Sequence, residues 1–196
     1  MTIREHQTVL IADRGESMRI LCFGDSNTYG YDPRGFFGGR YEAKDRWVDL
    51  LAVRTDHVLI NAGSNGREIP RNGCPSYKQE AVDVFLVMLG TNDLLQGVSA
   101  KETARRMEYF LTSLLPQHKQ ILLVCPPSMK RGAWVPTDTL VAESLCLAEE
   151  YRLLAEKMRS PFVDTRPWNI ELAFDGVHFT ENGHHTFADC LIQTLP

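Results

Sequence analysis

The stretch MRILCFGDSNTYGY, Met18 to Tyr31, joins an apolar run to a cluster of turn-forming residues. Arg19 to Phe23 reads as a buried strand, and Gly24, Asp25, Ser26 and Asn27 are side chains a backbone uses where it bends tightly. A serine at the end of a buried strand either shapes that bend or caps a helix, or it presents a nucleophile. The rest of the chain decides between these.

Further short runs rich in Val, Ile, Leu and Phe follow at Val58 to Ile60, Val84 to Leu89, Ile121 to Val124, and Phe162 with Val163. Continuous apolar runs separated by helical patterns are how a parallel sheet covered on both faces reads in sequence. Ala104, Met107, Phe110, Leu111 and Leu114 recur at helical spacing, and Ser99 with Glu102 has the form of a capping box at the start of that helix. Val141, Leu145, Ala148, Tyr151, Leu154 and Met158 predict a long helix ending before Pro161, and Thr180 an N-cap for a last helix carrying Phe187, Ala188, Leu191 and Ile192. Five strands, each followed by a helix, predict a three-layer α/β/α domain: a five-stranded parallel, doubly wound, flavodoxin-like sheet, the chain being too short for an eight-stranded barrel. Residues 1–17, polar and without period, read as a flexible extension, and 18–196 as a single domain.

The 196 residues include 43% hydrophobic and 23% charged side chains, ordinary for a globular domain, and can bury roughly 70% of the surface exposed on unfolding. A net charge of -4 gives no support to nucleic-acid binding. No apolar run approaches the roughly 20 residues of a membrane span, and Val9 to Ala12 is too short for a signal-peptide core, so a cytoplasmic location is expected. Cys22, Cys74, Cys125, Cys146 and Cys190 lack metal-like spacing and read as incidental thiols. Adjacent His184 and His185 point to different faces of a helix, with no third ligand evident, and read as a solvated pair rather than a metal site.

Ligands of doubly wound sheets bind beyond the carboxyl ends of the strands. There the chain carries Gly24-Asp25-Ser26-Asn27, Asn61 to Gly66, Gly90-Thr91-Asn92-Asp93, Pro126-Pro127 and Asp175-Gly176-Val177-His178. Ester hydrolysis by serine needs a hydroxyl, a base, a group that orients the base, and donors for the oxyanion. His178 would accept the Ser26 proton from about 2.6 to 3.2 Å, and Asp175, three residues earlier, would hold the imidazole N–H. Asp164, ending the fifth strand, rivals Asp175 as the orienting carboxylate. Ser64, in a stretch close to the GxSxG elbow of another hydrolase fold, rivals Ser26, although Pro70, Asn72, Gly73 and Pro75 follow where that elbow needs a helix. Asp25 and Asp93 read as scaffold hydrogen-bonders.

In joint order these blocks resemble the SGNH hydrolases, or GDSL esterases, over nearly all of the chain from Met18 onward. Phe23-Gly24-Asp25-Ser26 with Thr28 and Gly30 matches the first block, Asn61 to Gly66 the second, Gly90 to Asp93 the third, and Asp175 with His178 the last. The resemblance implies Ser26 as nucleophile, and the Ser26 and Gly66 N–H groups and the Asn92 amide as oxyanion donors. Within the family, ILCFGDS, MLGTND and DGVHFT look most like the arylesterase and acyltransferase branch. Asn27 and Tyr29 stand where those relatives tend to carry other side chains, and they and Tyr31 have no assigned role. The expected activity is hydrolysis of short-chain or aryl esters through an acyl-enzyme, with acyl transfer to an alcohol left open. A carbohydrate O-acetyl esterase with the same site and a non-catalytic ligand-binding module are the alternatives. The resemblance implies no cofactor and no metal, and a small ester as partner; homo-oligomerisation is left open. Arg67, Trp134 and Val177 are the candidate substrate-binding residues.

Overall fold

A computed structural model of the chain describes residues 17–35, 39–72, 82–114 and 120–195. Cys74, Pro75 and residues 1–16 lie outside the described residues.

Five strands form one sheet: β1 (Arg19–Gly24), β4 (Val58–Gly63), β5 (Val84–Met88), β6 (Gln120–Val124) and β7 (Phe162–Val163), in the order β4-β1-β5-β6-β7. Every neighbouring pair is parallel. This is the doubly wound order read from the apolar runs, and it reverses at β1, between β4 on one side and β5 on the other. Because side chains alternate across a strand, the apolar runs split between two cores. Leu21, Phe23, Phe85, Val87, Ile121 and Leu123 face α4 (Ala100–Leu114) and α5 (Asp138–Met158). Ile20, Cys22, Val84, Leu86, Leu122 and Val124 face α2 (Trp47–Arg54) and α6 (Glu181–Ile192).

Capping follows the sequence closely. Ser99 Oγ accepts from Glu102 N–H at 3.3 Å, while the Glu102 carboxylate turns to Arg105 and leaves the capping box half made. Thr180 caps α6 through Gly183 N–H, and Thr137 starts α5 a few residues before the predicted periodic stretch. The connection after β1 is more elaborate than one helix. It holds a single helical turn, α1 (Ser26–Tyr29), then a hairpin of β2 (Tyr31–Asp32) and β3 (Gly39–Arg40), and only then α2. Two-residue strands are too short to leave a period, so the sequence carries no signal for the hairpin. Gly63 lets α1 settle directly on the end of β4, since a Cβ there would lie 2.1 Å from the Tyr29 nitrogen.

The solvated reading of His184 and His185 is half wrong. His185 sits at the surface against Asp45 and Arg54, but His184 is completely buried between the Tyr41 and Phe179 rings. Neither of its ring nitrogens has a hydrogen-bond partner among the described residues. Burial, helped by the neighbouring His185, pushes its pKa from 6.5 down to about 3. The unfolded chain therefore takes up a proton below pH 6.5 that the folded chain refuses. The stability tied to this group is intact above pH 6.5 and is withdrawn as the pH falls toward 3. Asp25 works in the opposite sense: burial raises it from 3.8 to about 6, so it binds its proton more tightly folded than unfolded. The two are separated by comparing wild type with His184→Leu. Removing the imidazole should flatten the fall of stability with acidification by up to about 1.4 kcal/mol per pH unit, read from urea midpoints between pH 6.5 and 4. Parallel curves would show that His184 protonates freely in the fold.

Candidate functional site

Ser26 stands two residues beyond β1, at the first position of α1, where its N–H has no acceptor within the helix. Asp25 is the N-cap: its Oδ1 accepts from Asn27 N–H at 2.9 Å, and the helix closes at Gly30. The bend is thus a capped helical turn, and Asp25 rather than Ser26 does the capping. The Ser26 hydroxyl is left to meet His178, whose Nε2 lies 3.0 Å from Oγ. On the other edge of the ring, Nδ1 lies 2.7 Å from Asp175 Oδ2, while Asp175 Oδ1 accepts from the backbone N–H groups of Val177 and His178. All three side chains are at most 6% exposed. Burial pushes the Asp175 carboxyl up, but the hydrogen bonds from the His178 ring and from the two N–H groups outweigh it and leave the carboxyl below its ordinary value. It is therefore an anion over the neutral pH range, suited to orient an imidazole and stabilise its protonated form.

The two rivals are elsewhere. Asp164 is taken up by the backbone and guanidinium of Arg166, and the imidazole that would activate Ser64 is engaged with Ser26.

The loops after β4 and β5 flank Ser26 because these strands flank β1 in the sheet. Gly66 adopts φ +69, a conformation that favours glycine, and the space where a Cβ would go is open. Two consecutive residues of α3 (Thr91–Leu95) hold this loop: Asn92 Nδ2 donates to the Arg67 carbonyl at 3.1 Å, and Asp93 Oδ2 accepts from Ile69 N–H at 3.0 Å. Asp93, fully buried and bonded also to Arg106 at 2.8 Å, is a scaffold group, as read. An amide nitrogen carries two hydrogens, so Asn92 keeps a second donor after holding the loop.

Of the three substrate-binding candidates, only Trp134 faces the site. Half exposed, it meets the His178 ring edge-on with centroids 4.9 Å apart. Tyr31 packs on the same imidazole at 4.6 Å, so two aromatic rings flank it. Sequence reading flagged Tyr31 as unexplained and had no signal for its place, which depends on the hairpin. Arg67 turns inward: Nη1 donates to the carbonyls of Gly24 and Ala62, and the guanidinium lies 4.2 Å from the Phe23 ring centroid. It ties the ends of β1 and β4 together. Val177 is buried in the core on the α4 and α5 side and contributes its backbone, with the N–H on Asp175 and the carbonyl on Asn27. Both side chains are thus engaged with the protein itself, Arg67 with backbone carbonyls and Val177 with the core.

The segment carrying Trp134 is bonded to the one carrying His178. Lys130, Ala133 and Trp134 donate their N–H groups to the carbonyls of Gly176, Phe174 and Asp175 at 3.0, 3.2 and 3.0 Å. Gly132 permits this approach, since a Cβ there would lie 2.4 Å from backbone atoms of Asp175 and Gly176. Among the described residues no group of three or more His, Cys, Asp or Glu could hold a metal ion, and no helix is long and apolar enough to cross a membrane.

A hydroxyl, imidazole and carboxylate in line at the carboxyl edge of a doubly wound sheet define a hydrolase of the serine type, and sequence comparison assigns the family. The model of the GDSL-like lipase/acylhydrolase family matches residues 22–186, and the chain belongs to that family. No curated protein matches it. Among solved structures, an aryl esterase from M. smegmatis is 27% identical, with a TM-score of 0.78 over 90% of this chain and 97% of that one. A carbohydrate acetylesterase family member from Sinorhizobium meliloti is also 27% identical, with a TM-score of 0.74 over 90% of this chain and 98% of that one. An acetylxylan esterase from Geobacillus stearothermophilus, at 21% identity and a TM-score of 0.70 over 92% and 94%, shares the fold. The chain is an ester hydrolase of the SGNH type.

Gly132→Ala tests the join between the two segments. The added methyl has backbone on its far side, so stability should fall by about 1–3 kcal/mol. Ester turnover well below the melting transition should fall with it; a variant with wild-type melting and turnover would mean that the segments part without consequence.

Proposed function

We propose that the protein hydrolyses short-chain or aryl carboxylic esters through an acyl-enzyme on Ser26. The observation that carries this reading is the line from Ser26 Oγ through His178 to Asp175, at 3.0 and 2.7 Å, buried and with the carboxylate held ionised. His178 takes the Ser26 proton as Oγ attacks the ester carbonyl, then hands it to the departing alkoxide. The N–H groups of Ser26 and Gly66 and the free Asn92 amide hydrogen stabilise the oxyanion. Each such donor is worth roughly 2.7–4 kcal/mol in the transition state. Water, activated by the same imidazole, releases the acid; an alcohol in its place would give acyl transfer. Hydrolysis of acetylated sugars at the same site is the second reading, supported by the acetylesterase among the similar structures.

Fluorophosphonate labelling followed by peptide mapping should place the adduct on Ser26, and Ser26→Ala should lower turnover by about 10⁶. An adduct on Ser64, or most activity retained in Ser26→Ala, would remove Ser26 from the mechanism.

Tyr31 and Trp134 would border the departing alcohol, because both pack on the imidazole that protonates it. Trp134→Ala should raise KM for phenyl acetate several-fold more than for ethyl acetate with kcat little changed, since a ring loses stacking area that an ethyl group never had. Equal effects on both esters would take Trp134 out of alcohol recognition.

A further inference from the structure

Asn27 follows Ser26 in the chain and is almost completely buried, at 4% exposed. Its side chain does not line the space above Ser26. Nδ2 donates to the Val177 carbonyl at 3.1 Å, and Oδ1 accepts from Phe179 N–H at 2.9 Å. The amide thus pairs with the backbone on both sides of His178, as a neighbouring strand would. Its own backbone is equally fixed, the N–H by Asp25 Oδ1 and the carbonyl by Trp47 Nε1, each at 2.9 Å. Asparagine fits because the two partners present one acceptor and one donor. Leucine would leave both unpaired, and an ionised carboxylate would set an oxygen against the Val177 carbonyl.

We propose that Asn27 is a positioning residue that sets the approach of His178 to Ser26 by clamping residues 177 and 179 to the helical turn bearing the nucleophile. The inference rests on the reading of Ser26 and His178 as nucleophile and base. Asp175 fixes the imidazole within its own loop, but that bond moves with the loop. The Asn27 amide instead ties the loop to the residue next to Ser26, so the 3.0 Å contact is held across 152 residues of sequence.

Asn27→Leu and Asn27→Asp test this with p-nitrophenyl acetate as probe and Ser26→Ala as control. Asn27→Leu should lower kcat by about 10- to 100-fold with KM within about two-fold, the loss falling on proton transfer rather than on binding. Asn27→Asp carries the discriminating readout. When protonated, the introduced carboxyl offers an O–H to the Val177 carbonyl and a carbonyl to Phe179 N–H, restoring both bonds. Its kcat relative to wild type should therefore climb at least ten-fold as pH falls from 8 to 5. Asp25, Asp175 and His178 lie close by, with Tyr41 and His184 packed on Phe179; Asn27→Leu, which adds no carboxyl, is measured over the same pH range so that the response of the introduced group is read against it. Melting curves at each pH confirm that the folded fraction is compared, and should Asn27→Leu not fold, Asn27→Asp decides alone. A pH-independent ratio, or wild-type kcat in Asn27→Leu at any pH or in Asn27→Asp at pH 8, overturns the clamp. Activity surviving in Ser26→Ala overturns the underlying reading instead.

Discussion

The contact between His178 Nε2 and Ser26 Oγ joins segments 152 residues apart, and much of the architecture bears on that 3.0 Å. Ser26 is held from below by β1, the strand with neighbours on both sides at the reversal of the sheet. His178 arrives on a loop with no strand to continue, between the short β7 and α6. Loops are ordinarily the least constrained parts of a fold, and a proton transfer tolerates little displacement. Two sets of hydrogen bonds resolve the conflict. The Asp175 carboxylate gathers the loop about itself, and the backbone join to residues 130–134 steadies its outer edge.

Two buried aspartates within this small volume show how hydrogen bonds divide charge. Asp25 is desolvated and offset mainly by one N–H, so its carboxyl rises to about 6. Asp175 is also desolvated but accepts from an imidazole and two N–H groups, so it falls below its ordinary value. Asp25 combines the stronger desolvation with fewer donors, and Asp175 the weaker desolvation with more, so the two carboxyls move in opposite directions. The anion is thereby kept at the ring of His178, while the residue preceding Ser26 carries the weaker claim on negative charge. Arg67, whose guanidinium lies against the ends of β1 and β4, favours the Asp25 anion, but not enough to offset the burial of that carboxyl.

The apolar runs at Arg19, Val58, Val84, Ile121 and Phe162 made the sheet legible, because strands buried on both faces leave continuous hydrophobic stretches that loops do not imitate. That Ser26, Asp175 and His178 come together was legible because ester chemistry would demand such side chains at particular strand ends, and the three are in hydrogen-bond contact. What the sequence hid was orientation. Arg67 and Val177 sit beside the site in the chain, yet one turns its guanidinium to backbone carbonyls and the other its side chain to the core. His184 and His185 look alike as neighbours, but one helical step of about 100° puts the first in the core and the second at the surface. Asn27 drew notice only as an oddity, since a partner 150 residues away leaves no local trace.

The division between legible and hidden residues follows from what each must satisfy. A nucleophile, a base and the group that orients it are constrained by the reaction, which is common to every ester, so their roles and mutual geometry recur wherever that chemistry is done, while their order in the chain belongs to the fold. Groups that meet only one substrate are under no such general constraint, and the two aromatic side chains packed on the imidazole come from structures of low sequence signal: a hairpin of two-residue strands for Tyr31, and a loop stabilised by backbone bonds for Trp134. Both rings rest on the imidazole itself, at 4.6 and 4.9 Å. The imidazole is thus a shared support, and the packing that places the base also places these two rings, which is why neither ring could be located from local sequence alone.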